Sequence, residues 1–165
     1  MTDLPSLDVV RAKLVAAGVE IPEGNLRLDG YGDSAELSAE LIALIVAGRK
    51  RAGTGLVWAY EADGEALPQA GDVEIVLDHE NEPVLVTRTT RVEIVPFDAV
   101  TAEYAAIEGE GDGSLGYWRR GHWAFFSREC ARIGREPAPD MPVACCVFEL
   151  VATIPARGSR GGNGT

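Results

Sequence analysis

Histidine and cysteine are scarce in this chain, and the few present are poorly spaced for metal chemistry. His79 and His122 are its two histidines, and Cys130, Cys145 and Cys146 its three cysteines. No Cys-x-x-Cys pair occurs, so no zinc site or other metal site is expected, and the cysteines read as small buried hydrophobes in a reducing compartment. Basic residues are outnumbered: 15 Lys and Arg stand against 26 Asp and Glu, a net charge of −11. That balance argues against coating long duplex DNA, where affinity comes from neutralised phosphates. No apolar run approaches the length of a membrane span, so no membrane partner is expected. The chain starts Met-Thr-Asp without a basic and then apolar run, so no secretory signal is expected and a cytoplasmic setting follows. There is no phosphate-binding glycine loop, no Gly-x-Gly-x-x-Gly and no recognisable Ser-His-Asp arrangement. Nothing in the sequence asks for a cofactor, and no internal repeat is visible.

What is present suits one domain over residues 1–155: the chain has 165 residues, 46% of them apolar. Residues 6–17 place Leu7, Val10, Leu14 and Ala17 on one helical face, with Ser6 as N-cap and Gly18 as stop. A second helix is expected over about 34–47, capped by Asp33 or Ser34 and closed by Gly48, with Leu37, Leu41, Leu44 and Ile45 as its buried stripe. Between these two helices, residues 22–33 read as turn-rich. Leu56 to Glu61, Val73 to Asp78 and Val84 to Val95 are strand-like, separated by turn residues. Helices follow at about 98–107 and 115–133, then a closing strand from Val143 to Ile154. Residues 156–165 have no apolar anchor and are expected to be disordered. The order predicts an α+β fold in which the long strand before Val95 serves two sheet regions by bending.

Functional residue types concentrate in two places. Arg49, Lys50 and Arg51 form a basic cluster behind the second helix. Glu108, Glu110 and Asp112 alternate with glycines and run into a helix carrying Trp118, Arg119 and His122. Lys50 suits either a cation at a helix C-terminus or a lysine whose pKa is lowered by its neighbours and burial, so that it acts as a base. Three carboxylates in five residues would suit a hard cation, but no calcium-loop spacing is present. Glu108 is better placed to read an exocyclic amine or to pair with Lys50, with Asp112 or Ser114 capping the next helix. Leu115, Trp118, His122 and Phe125 form either a core stripe or, with Arg119 alongside, a base-stacking wall.

The residues resemble the longer bacterial members of the ASCH domain family, which have a PUA-like small β-barrel. The resemblance runs through Asp29-Gly-Tyr-Gly-Asp33, Ala47-Gly-Arg-Lys-Arg-Ala52, Glu108-Gly-Glu-Gly-Asp112 with Ser114, Trp118, Arg119, His122 and Phe126, and Phe148-Glu-Leu150. It implies an RNA- or nucleoside-associated domain whose charged cleft binds a nucleobase or short single-stranded RNA, using Lys50, Arg51 and Arg119 toward phosphate or carbonyl oxygens. Ligand contacts are expected from Arg51, Glu110, Asp112, Ser114, Trp118, Arg119 and His122. Some family members hydrolyse acetylated cytidine, and one is described as a ribonuclease. The alternative it implies is therefore an amidohydrolase or ribonuclease using Lys50, Thr54 and Glu108. Here the family's Gly-x-Lys-x-x-Thr element places Gly53 at the threonine position, with Thr54 one residue later. A one-residue shift on a strand reverses the side chain's face, so Thr54 is expected to need a bulge to reach the cleft.

Overall fold

Ser6 accepts a hydrogen bond from the Val9 N–H and starts α1, Leu7–Ala16, whose buried face is Val10 and Leu14. Ser34 does the same for α2, Ala35–Val46, through the Leu37 N–H. These caps satisfy backbone donors that a helix start leaves free, which fixes where each helix begins. The computed structural model describes residues 4–155; the expectation of disorder over 156–165 concerns residues outside that range.

Five strands form one mixed sheet in the order β1-β3-β4-β5-β2. They are β1 (Leu26–Gly30), β2 (Ala52–Leu56), β3 (Val73–Leu77), β4 (Pro83–Pro96) and β5 (Pro142–Thr153). The β1–β3 pair is parallel and the others are antiparallel. The long strand β4 does serve two regions. Its first half pairs with β3 while its whole length follows β5, and register shifts near Val86–Thr87 and Thr89–Arg91 bend it between the two. The sheet curls into a half-barrel, an α+β small-barrel fold, with five helices around it.

Two expectations fail. Residues 22–33 are not merely turns, because Leu26–Gly30 is an edge strand whose partner β3 is far away in sequence. Leu56 to Glu61 is not a strand: β2 ends at Leu56 and α3, Val57–Ala62, begins at once. A short apolar run fits either element, and packing decided it. Val57 is buried, and Trp58 and Ala59 lie against the core formed with α5.

Alternation splits the sheet into two faces. Val73, Ile75, Leu77 and Val86 pack on α1, whereas Val76, Leu85 and Phe148 pack toward Ile45 of α2. A third core lies at the β2 end, where α4 (Ala102–Glu108) and α5 (Leu115–Ile133) cover the sheet. There Trp118, Phe126 and Cys130 of α5 meet Phe97, Met141 and Val143. Burying a side chain such as Phe126 contributes roughly 2–3 kcal/mol, so this core anchors the helix that carries His122.

Candidate functional site

The chain leaves α2 through Gly48 (φ +82°), and the Arg49 and Lys50 N–H groups both donate to the Leu44 carbonyl. This tight exit turns Lys50 inward, where it is 1% exposed. Its Nζ donates to the Ala52 carbonyl at 2.7 Å and to Glu110 Oε1 at 2.9 Å, lies 3.9 Å from Glu108 Oε2, and sits 5.3 Å from the centre of the Tyr31 ring. The crowding by guanidinium groups expected from the sequence does not occur. Arg51 turns away, donating to the Ile45 and Lys50 carbonyls, and so takes the helix-end role considered for Lys50. Acceptors surround Nζ, an arrangement that suits an ammonium and not a free base.

Glu108 is the last residue of α4 and is fully buried. Gly109 follows in the left-handed region (φ +68°), and a Cβ there would stand 2.0 Å from the Arg49 carbonyl oxygen. Only glycine permits that approach, which brings the end of α4 onto the Arg49–Lys50 backbone. Glu108 Oε1 accepts from Thr54 Oγ1 at 2.6 Å and from the Trp118 indole at 3.2 Å. Oε2 lies 2.9 Å from His122 Nε2, an ion contact whose direction falls short of a hydrogen bond. Burial pushes the Glu108 carboxyl up, but Lys50, His122 and Thr54 together hold it down at about 2. A carboxylate at the negative end of a helix is unfavourable by itself, so these partners are what keep it ionised.

His122 has an acceptor at each nitrogen. Nδ1 is 2.9 Å from the Trp118 carbonyl, and Nε2 faces Glu108. The imidazolium is the form that donates to the Trp118 carbonyl while presenting a positive charge to Glu108. Burial lowers its pKa, but the charge and contact of Glu108, then Glu110 and the Trp118 carbonyl, outweigh burial and raise it. The ring also stacks on Trp118, with centroids 4.2 Å apart.

Thr54 reaches the cluster without a bulge. Strand β2 pairs with β5 in unbroken register from Ala52↔Val147 to Leu56↔Val143. This puts Thr54 on the face of Glu108 and Tyr104, and turns Gly53 to the opposite face. A Cβ at Gly53 would meet the Tyr31 ring at 3.4 Å. The residue beside Glu108 is therefore Thr54, and the glycine leaves room for Tyr31. Thr54 Oγ1 is also 2.9 Å from the Tyr104 hydroxyl, which donates to the Gly53 carbonyl at 2.9 Å.

The structure thus brings together Lys50, Thr54, Glu108, Glu110 and His122. Trp118 joins them from the core side, through its indole N–H to Glu108, while Arg51, Asp112, Ser114 and Arg119 make no contact with the cluster's side chains. Trp118 is 2% exposed and packs on Phe97, so it is core and offers no stacking wall. Phe125, expected in the buried stripe, is largely outside it, and Phe126 fills that place. Ser114 is the N-cap of α5, accepting from the Tyr117 N–H, and Asp112 accepts from the Ser114 N–H. Arg119 is exposed to solvent. Two tyrosines were missed. Tyr31 lay within a turn-like motif, and Tyr104 fitted a plain helix, so only the fold shows that both abut the cluster. Glu108, Glu110 and His122 each bring a ligand atom within 4.8 Å of the others. The Lys50 ammonium stands among them, so the protein itself supplies the balancing cation.

A curled five-stranded mixed sheet of PUA-like type, with a buried lysine–glutamate cluster at its β2 edge, defines the class. The chain belongs to the ASCH domain family, whose model matches residues 28–152. It is similar to the crystal structure of an ASCH domain from Lactobacillus crispatus JV V101, with 32% identity and a TM-score of 0.72 over 76% of this chain and 79% of that one. It is similar also to protein EF3133 from Enterococcus faecalis V583, with 32% identity and a TM-score of 0.77 over 97% of this chain and 98% of that one. No curated protein matches the chain. Among the described residues, no helix is long and apolar enough to cross a membrane.

Proposed function

We propose that this is an RNA-associated ASCH domain of the cytoplasm that binds a nucleobase or a short single-stranded RNA in the cleft beside Lys50. The observation that carries this reading is the ion cluster itself. Lys50 and Glu108 are both essentially inaccessible yet paired, and the partly exposed Tyr31 and Glu110 beside Lys50 are what a ligand would meet. Removing two charges from water costs several kcal/mol each, and arrays of this kind concentrate at functional sites. With a net charge of −11, the protein suits a small footprint over a long phosphate track.

The roles differ from those expected of the sequence. Trp118 does not stack on a base, and Arg51 is committed to carbonyls of its own chain. Tyr31 becomes the aromatic surface beside the ligand. Glu110, which is 22% exposed at its side chain, covers Lys50 and would move aside for an anionic group.

The hydrolase alternative draws support from Thr54, whose hydroxyl donates to Glu108. Two features weigh against it in the resting arrangement. A carboxylate with a pKa of about 2 is a feeble base, and the Lys50 ammonium is tied to acceptors. Fluorescence anisotropy with a short labelled single strand tests the binding reading. Binding at low salt that weakens as salt rises is expected, whereas absence of binding by both the strand and free nucleosides overturns it. Mass spectrometry of the same mixtures, with one acetylated cytidine in the strand, would detect any cleavage or loss of acetyl.

A further inference from the structure

A second polar group lies on the inner face of the sheet, separate from the Lys50 cluster. Asp29 of β1, Glu74 of β3 and Thr87 of β4 share that face, because Leu28, Val73, Ile75 and Val86 alternate with them and pack toward α1. Glu74 and Thr87 are direct cross-strand partners. Asp29 lies on the adjacent strand, two residues along from Arg27, the cross-strand partner of Glu74. Burial, together with the neighbouring acids, raises both carboxyls above their ordinary range.

Three observations separate this group from an internal polar contact. First, Thr87 is fully buried and its Oγ1 has no hydrogen-bond partner. An unsatisfied buried hydroxyl is destabilising by about 1–3 kcal/mol, and this one stands next to Glu74. Second, the adjacent cation Arg27 favours ionisation of both acids through its charge, but its hydrogen bonds go elsewhere. Arg27 donates to Asp72 at 3.3 Å and to the Ala66 carbonyl at 2.8 Å, with its guanidinium over the Tyr60 ring. Third, the group is not sealed. Asp29, Tyr31, Tyr60 and Cys146 are only half-buried. The two tyrosine rings lie over one face of β2, close to where Cβ atoms of Gly53 and Gly55 would stand.

Two carboxyl groups beside a hydroxyl without a partner bring more acceptor oxygens than donors, so the group calls for donors. An exocyclic amine supplies two N–H donors on a planar ring, whereas uracil and hypoxanthine present a carbonyl oxygen in its place. Glu108, to which the sequence assigned base reading, is fully buried, its Oε1 taken by Thr54 and Trp118 and its Oε2 facing His122. We propose that Asp29, Glu74 and Thr87 form a base-reading subsite for the exocyclic amine of an amino-bearing nucleobase, with the Tyr31 and Tyr60 rings alongside. This rests on the reading that the cleft binds a nucleobase.

The test is fluorescence anisotropy of the full chain with short homopolymer strands of C and of U at low salt, repeated with Glu74→Gln and Thr87→Val. The wild type is expected to bind the C strand about tenfold more tightly than the U strand, within the usual discrimination of one good base contact. Glu74→Gln is expected to bring the two affinities within roughly twofold, mainly by weakening the C strand. Equal wild-type affinities for C and U, or full discrimination retained by a folded Glu74→Gln, overturn the subsite while leaving base binding intact. No binding of either strand overturns both readings. If Glu74→Gln does not fold, the wild-type comparison and Thr87→Val, which leaves the acid pair in place and is expected to tighten or weaken C alone, decide the matter; equal effects on both strands count against the proposal.

Discussion

Two ion clusters in this molecule use the same chemistry in opposite surroundings. At the surface, Arg132 of α5 holds Asp63 and Glu129 at 2.9 and 2.7 Å, with side chains 24–47% exposed. Inside, Lys50 holds Glu110 and Glu108 at 2.9 and 3.9 Å, with Lys50 and Glu108 each at 1%. The surface cluster can be dismantled and its charges return to water. In the buried one only Glu110, 22% exposed, can turn to water, while Lys50 and Glu108 would stay in a medium that cannot solvate them. An ion pair of 2.9 Å in each cluster therefore does not mean equal consequences.

The largest effect is expected from breaking the inner cluster on one side. Lys50→Met should destabilise the fold by about 3–5 kcal/mol, as Glu108 loses its main counter-charge. Chemical denaturation measures this, and adding Glu108→Gln to Lys50→Met should recover part of the loss. A small effect of Lys50→Met would mean that the cluster is solvated. Acid reaches the same cluster without a mutation. Glu108 is held at about 2 against an ordinary 4.5, so its stabilisation is complete above pH 4.5 and fades as pH falls toward 2. The full loss is about 3 kcal/mol, and stability that stays flat through that window would contradict it. His122 runs the other way. Its raised pKa gives stabilisation that is complete below 6.5 and disappears as pH rises through the folded value, which an NMR titration of the ring would follow.

Thr54→Val sharpens the comparison at one contact. It removes a hydrogen bond to a charged group, so a loss of about 1.5–3 kcal/mol is expected by denaturation. The smallest effect belongs to the surface cluster. Arg132→Ala should change stability by no more than about 1 kcal/mol, and less in high salt. A loss as large as that of Lys50→Met would erase the distinction between the two clusters.

The legible parts of the chain were those whose signals are local. Ser6 and Ser34 announced two helix starts, Val10 and Leu14 the packing face of the first, Leu41 and Ile45 that of the second, and the glycine-spaced acids before Ser114 the link between two helices. The Leu56–Glu61 segment was misread because six apolar-rich residues fit a strand or a helix equally well. Trp118 fitted two roles on one helical face, and contact with Phe97 chose the core. Tyr31 and Tyr104 gave no local signal at all, since each becomes part of the site through a partner on another element.

By itself, the sequence determined the family, the α+β class, the caps and the identity of Lys50 and Glu108 as a pair worth watching. Hydrogen-bonding side chains at helix ends and periodic apolar residues act over a few positions, so they can be read in order along the chain. Only the tertiary structure decided which way Thr54 faces, that Arg51 serves a helix end, and that Asp29, Glu74 and Thr87 share one surface. Those outcomes depend on strand register and on elements far apart in sequence, where a shift of one residue exchanges the two faces of a strand.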